Sequence, residues 1–223
     1  MPHTTSACRQ WLLAARPIGH AKRSDFTWQE TTIPVPQEGE VLVQTRYISL
    51  DPAMRGWMNE GKSYIKPVAI GEVMRAGTLG TVLESCDARF KPGDTVVGNW
   101  GVQTHAIVSK ASGLDALYKV DAKAAPLPKY LGVLGMPGMT GYFGLLDTGA
   151  PKAGETVVVS GAAGAVGQVV GQIAKIKGCH VVGIAGGADK CTFVTEQLGF
   201  DACVDYKNGD LKASLRAAAP RGV

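Results

Sequence analysis

The stretch Thr156-Val-Val-Val-Ser-Gly-Ala-Ala-Gly-Ala-Val-Gly167 narrows most sharply what this chain can fold into. Val157, Val158 and Val159 are β-branched and uninterrupted, the pattern of a parallel strand covered on both faces. Gly161, Gly164 and Gly167 follow at three-residue steps. Val166, Val169, Val170, Ile173 and Ala174 then recur at helical spacing as far as Gly178, a residue suited to cap a helix C-terminus. Strand, glycine turn and helix in this order make a unit that can bind a dinucleotide. The glycines allow a tight turn, a close approach to a pyrophosphate and a seat for the helix on the strand. A helix opening near Gly164 also aims its free N–H groups and its positive dipole end at that spot. Two other readings compete. The run Val157 to Ile176 is long and apolar enough for a membrane span, with Gly167 and Gly171 spaced as in a helix-packing motif. Gln168, Gln172, Lys175 and the glycines make a poor lipid-facing helix, and no membrane partner is expected. A plain strand–helix unit without cofactor is the second alternative.

The residues downstream favour the dinucleotide. His180 to Ala185 reads as a second buried strand, Asp189 to Leu198 as a helix closed by Gly199, Ala202 to Asp205 as a third strand, and Asp210 to Ala219 as a helix ending at Pro220. Strand and helix alternate as a doubly wound sheet requires. Folds that select NAD usually place a carboxylate at the end of the second strand, about twenty residues beyond the glycines. Here that place reads Ile184-Ala-Gly-Gly-Ala-Asp-Lys190. Ala185 and Gly186 cannot bond a ribose, but they leave room for a 2′-phosphate. Lys190, in the first turn of the next helix, and the phenol of Tyr206 can both reach toward such a group. The bland readings are a solvated lysine, and an Asp189 that is either a displaced acid or a helix N-cap. NADP rather than NAD is expected from the missing carboxylate.

Upstream, from Arg9 to about Lys119, short strand patterns alternate with Pro/Gly turns, as in a small barrel or sandwich. Glu40 to Ser49, Gly77 to Ser85, Phe90 to Gly98 and Thr104 to Ser109 carry these patterns, and Leu50 to Met58 between them reads as irregular. The texture changes at Pro126, which puts an all-β domain at 1–125 and a cofactor-binding domain at 126–223. Lys and Arg exceed Asp and Glu by four, with a pI of 8.8, but in no block of one sign. Nucleic acid is therefore not an expected partner, whereas a phosphorylated ligand fits. The five cysteines form no C-x-x-C pair and read as reduced thiols in a cytosol. The four histidines are too dispersed to build a zinc site by local spacing, and no apolar signal-peptide core follows the N-terminus.

Several longer motifs occur in one order: Arg16-Pro-Ile-Gly19, Ser49-Leu-Asp-Pro-Ala-Met-Arg55, Ile70-Gly-Glu-Val-Met74, Leu134-Gly-Met-Pro-Gly-Met-Thr140, Gly164-Ala-Val-Gly167 and Leu198-Gly-Phe-Asp201. Through them the chain, from Arg9 to Val223, resembles the zinc-free NADPH-dependent branch of the medium-chain dehydrogenase/reductase superfamily. That branch includes prostaglandin reductases, plant alkenal double-bond reductases and bacterial curcumin reductases. The resemblance implies an α/β plus all-β fold, with a GroES-like barrel followed by a Rossmann doubly wound parallel sheet and substrate in the cleft between. It implies hydride transfer from NADPH to the β-carbon of an α,β-unsaturated ketone or aldehyde, an enone or enal, without a metal. By the same resemblance Gly164, Ala165, Val166 and Gly167 match the pyrophosphate turn. Gly186, Lys190 and Tyr206 match the adenosine phosphate site, Met139 and Thr140 lie near the nicotinamide, and Pro52 joins the cofactor contacts. No catalytic residue is assigned; Tyr64 either faces the substrate pocket or is an ordinary packed tyrosine. Ala53 departs from the family, where a pocket-lining tyrosine is common. A cytoplasmic homodimer is expected. The chain stops at Pro220-Arg-Gly-Val223, where relatives begin a fourth Rossmann strand. The expectation drawn from this is a truncated product, or one completed by another chain, with the Rossmann sheet incomplete. The competing functions are a quinone reductase of the same superfamily, a dinucleotide-binding module without turnover, and a chain that folds only in its barrel half.

Overall fold

The computed structural model describes residues 7–109 and 116–222, and Val223 with the first six residues lies outside them. The chain divides into two compact units, Met1–Leu131 and Gly132–Val223.

In the first unit β1 (Cys8–Leu13) and β2 (Phe26–Thr31) pair antiparallel. A larger antiparallel sheet contains β3 (Glu40–Ile48), β4 (Thr78–Ser85), β5 (Thr95–Gly98), β6 (His105–Ser109) and β7 (Tyr118–Lys119), in the order β6-β3-β4-β5-β7. The bridge Gln10–Gln103 ties β1 to the segment leading into β6. Alternating side chains put Val41, Val43, Val82, Val96 and Ala106 into one core with Trp100. The indole Nε1 of Trp100 donates to Thr45 Oγ1 at 2.7 Å, which satisfies its one polar atom. Gly80 sits where the β3–β4 register slips: a Cβ there would stand 2.3 Å from the Gln44 carbonyl oxygen. This is the all-β, barrel-type unit that the turn-punctuated strands predict.

Leu50 to Met58 is not irregular throughout. Ala53–Trp57 forms a short helix, α1, entered through Pro52. Proline at a helix entrance has its φ preset and needs no N–H partner, and Ala, Met and Arg are good helix formers. Arg55 reaches from α1 to the carbonyls of Pro17 and Gly19, both at 2.9 Å. Arg16 in turn donates to the carbonyls of Met58 and Val68, at 2.8 and 2.7 Å. Two motifs far apart in sequence are thus stitched together through their arginines.

The second unit contains β8 (Thr156–Ser160), β9 (His180–Ala185) and β10 (Ala202–Asp205), parallel and in the order β10-β9-β8. The strands alternate with α3 (Ala165–Ile176), α4 (Ala188–Thr192) and α5 (Leu211–Ala218), while α2 (Met136–Phe143) precedes them. Two wider π-helical segments, Gly144–Gly149 and Phe193–Gln197, continue α2 and α4. Asp210 caps α5, its Oδ1 accepting from the amides of Lys212 and Ala213. One face of the sheet packs Val159, Val181 and Val194 around Phe200; the other packs Val182 and Val204 against Ala219. Of the three consecutive valines only Val159 is buried, and Val157 and Val158 are half-buried. The reason is position: among the described residues β8 pairs with β9 alone, so it forms a rim of the sheet rather than its middle. Among the described residues no helix is long and apolar enough to cross a membrane.

Candidate functional site

Each of the three glycines after β8 has a different physical duty. Gly161 holds φ at +61°, a backbone region that a side chain disfavours. Gly164 donates to the Gly161 carbonyl at 2.8 Å and stands at the N-cap of α3, with no side chain capping the helix. At Gly167 a Cβ would lie 2.4 Å from the Gly161 carbonyl oxygen and 2.9 Å from Ala162 Cα, so only glycine lets α3 come this close to the turn. The turn is seated on β9 as well. Ala162 is fully buried, donates its amide to Ile184 O at 3.1 Å, and lies where a Cβ on Gly183 would fall 2.9 Å away. Gly164, Ala165 and Val166 remain exposed. A tight turn therefore delivers the uncapped start of a twelve-residue helix to the surface, with its first N–H groups and positive dipole end outward. The missing Cβ atoms, the free amides and the dipole fit a diphosphate.

A second corner forms at the ends of β9 and β10. Tyr206 packs its ring against Gly186 so closely that a Cβ on Gly186 would stand 2.6 Å from the phenolic oxygen. The ring is still about half exposed, at 56 %. Gly187 follows with φ at +104° and opens α4 as its N-cap, which displaces Asp189 from that role into the helix itself. Asp205 locks the corner. Its Oδ1 accepts from the amides of Gly187 at 2.8 Å and Lys207 at 3.0 Å, and its Oδ2 from the Asn208 side chain at 2.5 Å. These backbone hydrogen bonds hold the Asp205 carboxyl below the usual carboxylate range. Lys190 lies in the first turn of α4, exposed and without an ion-pair partner among the described residues. The structure thus brings Gly186 and Tyr206 into contact and places Lys190 four residues on, with the carboxylate of Asp205 engaged by amides.

Met139 and Thr140 lie on the exposed side of α2. This helix packs against α3 through Gly141, where a Cβ would meet Val169 at 3.1 Å. Met139, Tyr142, Phe143, Val169 and Ile173 line an apolar groove of about 390 Å³. A Cβ on Gly141 would also stand 3.4 Å from the Val166 carbonyl oxygen, which brings α2 up to the start of α3. Pro52 and Tyr64 belong to the first unit. Pro52 is exposed at the entrance of α1, and Tyr64 is 78 % exposed, its hydroxyl accepting from Trp57 Nε1 at 3.1 Å. Tyr64 is therefore not a packed core tyrosine.

Sequence reasoning missed Asp205 and Gly183 as residues that shape this site. Asp205 carried a local signal, an Asp-x-x-Asn turn directly after a strand. Gly183, inside a run of valines, carried the mark of a close backbone approach.

Comparison with known proteins bears on the whole chain. A family model described as the N-terminal domain of oxidoreductase matches residues 9–117, and one described as zinc-binding dehydrogenase matches 165–223. Among the described residues no three His, Cys, Asp or Glu side chains converge into a metal site. The NADPH-dependent curcumin reductase of Escherichia coli is 49% identical over 96% of the chain and 61% of its own length. The NADP-dependent 2-alkenal reductase of Nicotiana tabacum is 41% identical over 96% of the chain and 63% of its own length. The crystal structure of CurA from Vibrio vulnificus in complex with NADPH superposes with a TM-score of 0.89 and 46% identity, over 96% of this chain and 63% of that one. The chain thus spans somewhat less than two thirds of the relatives it matches.

Proposed function

The chain belongs to the medium-chain dehydrogenase/reductase superfamily, in the branch of the curcumin and alkenal reductases, and from that membership we propose that it binds NADPH and reduces the C=C bond of an enone or enal. The observation that carries the reading is the corner where Gly186 lies under Tyr206, with exposed Lys190 in the first turn of the helix that follows and the strand-end carboxylate of Asp205 engaged by amides. In this reading the amides at Gly164, Ala165, Val166 and Gly167 hold the diphosphate. Lys190 and the Tyr206 hydroxyl take the 2′-phosphate, as a point charge and a hydrogen-bond donor. Met139, Thr140 and Pro52 orient the nicotinamide end. Bound there, NADPH supplies a hydride to the β-carbon of the substrate. Tyr64 accepts from Trp57 and keeps its own O–H to donate to a substrate carbonyl oxygen, where negative charge develops. The fuller assembly is a cytoplasmic homodimer. Five unpaired cysteines support the compartment, and the exposed apolar side chains of Leu134, just ahead of α2, and of Tyr142 and Phe143 on α2 support the dimer.

Calorimetric titration of this chain with NADPH and with NADH tests the coenzyme. NADPH should bind at least about tenfold tighter, a difference of about 1.4 kcal/mol. Lys190→Ala should remove most of that preference and leave NADH binding unchanged. Equal affinities for the two coenzymes in the parent chain would overturn the reading. Adding an enone and following nicotinamide absorbance together with the saturated ketone tests turnover. Coenzyme binding without ketone would leave a binding module.

A further inference from the structure

Two thiols beneath the adenosine corner are not used by the proposed reaction. Cys203 lies on β10 beside Gly183 of β9 in parallel register. On β10 the side chains alternate: Ala202 and Val204 join the cluster covered by α5, while Cys203 joins the cluster around Val194 and Phe200 on the other face. A Cβ on Gly183 would stand 2.9 Å from Val194 Cγ1, so this face of the sheet looks onto the helical segment that α4 begins. Cys191 precedes fully buried Val194 by three residues and therefore shares its inward face. Cys191 is the titratable neighbour that acts on Cys203, and both are half-buried rather than sealed.

We propose that Cys191 and Cys203 are an oxidisable pair, closing under hydrogen peroxide into a disulfide that bolts the helix carrying Lys190 to the strand leading into Tyr206. Burial pushes the Cys203 thiol up to about 12. One sulfur of the pair, as thiolate, takes one oxygen from peroxide to become the sulfenic acid and releases hydroxide. The other sulfur then displaces that oxygen as water, forming the S–S bond. Two thiols lose two electrons and two protons in all, and one peroxide becomes two waters. The other three cysteines offer no such partner: Cys8 and Cys179 are buried with their thiols turned to the carbonyls of His105 and Lys152, and Cys86 is exposed next to the Pro36 carbonyl.

The reduced full chain is treated with graded hydrogen peroxide, alkylated with iodoacetamide and digested with trypsin. Cleavage after Lys190 and Lys207 releases both cysteines in one peptide, Cys191 to Lys207. The expected product is that peptide lighter by two hydrogens and lacking both alkyl groups, with dithiothreitol restoring both alkylation sites. Cys191→Ser and Cys203→Ser should each abolish it, with the remaining sulfur recovered either alkylated or as its sulfenic, sulfinic or sulfonic acid. Exposed Cys86 reports the dose within the same digest. Recovery of the peptide alkylated at both cysteines, at a dose that has consumed Cys86, overturns the proposal. So does a disulfide that joins Cys86 to either of them. The measurement on the parent chain needs no variant to fold and no coenzyme to bind.

Discussion

A methyl group has nowhere to go at Gly167. The Gly161 oxygen would lie 2.4 Å from it and the Ala162 Cα 2.9 Å, and both are backbone atoms that cannot rotate away. Gly167→Ala should therefore cost about 1–3 kcal/mol of stability, the range for overpacking. It should also widen the turn, and chemical denaturation alongside NADPH titration would show both losses. Asp205 makes a prediction about pH. Its carboxyl is depressed in the folded chain by the amides of Gly187 and Lys207, so its stabilisation is fully present above the unfolded value of 3.8. That contribution is lost as pH falls through the still lower folded value. The stability difference between the parent and Asp205→Ala, measured by urea unfolding, should be constant at neutral pH and shrink below about pH 4. A difference that instead grew on acidification would contradict the assigned hydrogen bonds. At this scale legibility followed sequence distance. The three glycines announce themselves because their partners are a few residues away. Asp205 announces only its local turn with Asn208; its tie to the Gly187 amide, eighteen positions upstream, leaves no mark in the sequence.

At the scale of elements, α3 is mounted on Phe200. A Cβ on Gly171 would fall 1.7 Å from the ring, and the ring itself is only 4 % exposed. Phe200→Ala should destabilise by about 3–5 kcal/mol, as large cavities at buried aromatics do, with thermal or urea unfolding as the measure. The strands β9 and β10 could be read to the residue because their apolar runs end at turn residues. Gly178 holds φ at +79° just past α3, and Gly199 holds +72° at the end of the next helical segment. The helix α1 was hidden: five residues are too few to show a period, and Pro52 and Gly56 read as turn punctuation. The widening of α4 into a π segment at Phe193 left no mark in composition. Burial was over-read at Val157 and Val158, since three valines in a row look alike whether a strand has one neighbour or two.

At the scale of the molecule, the residues proposed for the diphosphate and the adenosine phosphate all fall within Gly132–Val223, a unit with apolar clusters on both faces of its sheet. Expressed alone, that segment should retain NADPH affinity within a few-fold of the parent chain, and titration calorimetry would measure it. Loss of binding in a folded segment, as judged by circular dichroism, would mean that the first unit supplies more of the affinity than the proposed Pro52 contact. Solvent conditions matter at the same scale. The rim strand β8 leaves a line of backbone donors and acceptors without a neighbouring strand among the described residues, and no proline or lysine interrupts it. Mutual repulsion from a net charge of +4 opposes the meeting of two such rims, and it vanishes near the pI of 8.8. Turbidity should accordingly rise fastest in mildly alkaline buffer, and shelf life becomes a matter of titrating the preparation away from its isoelectric point.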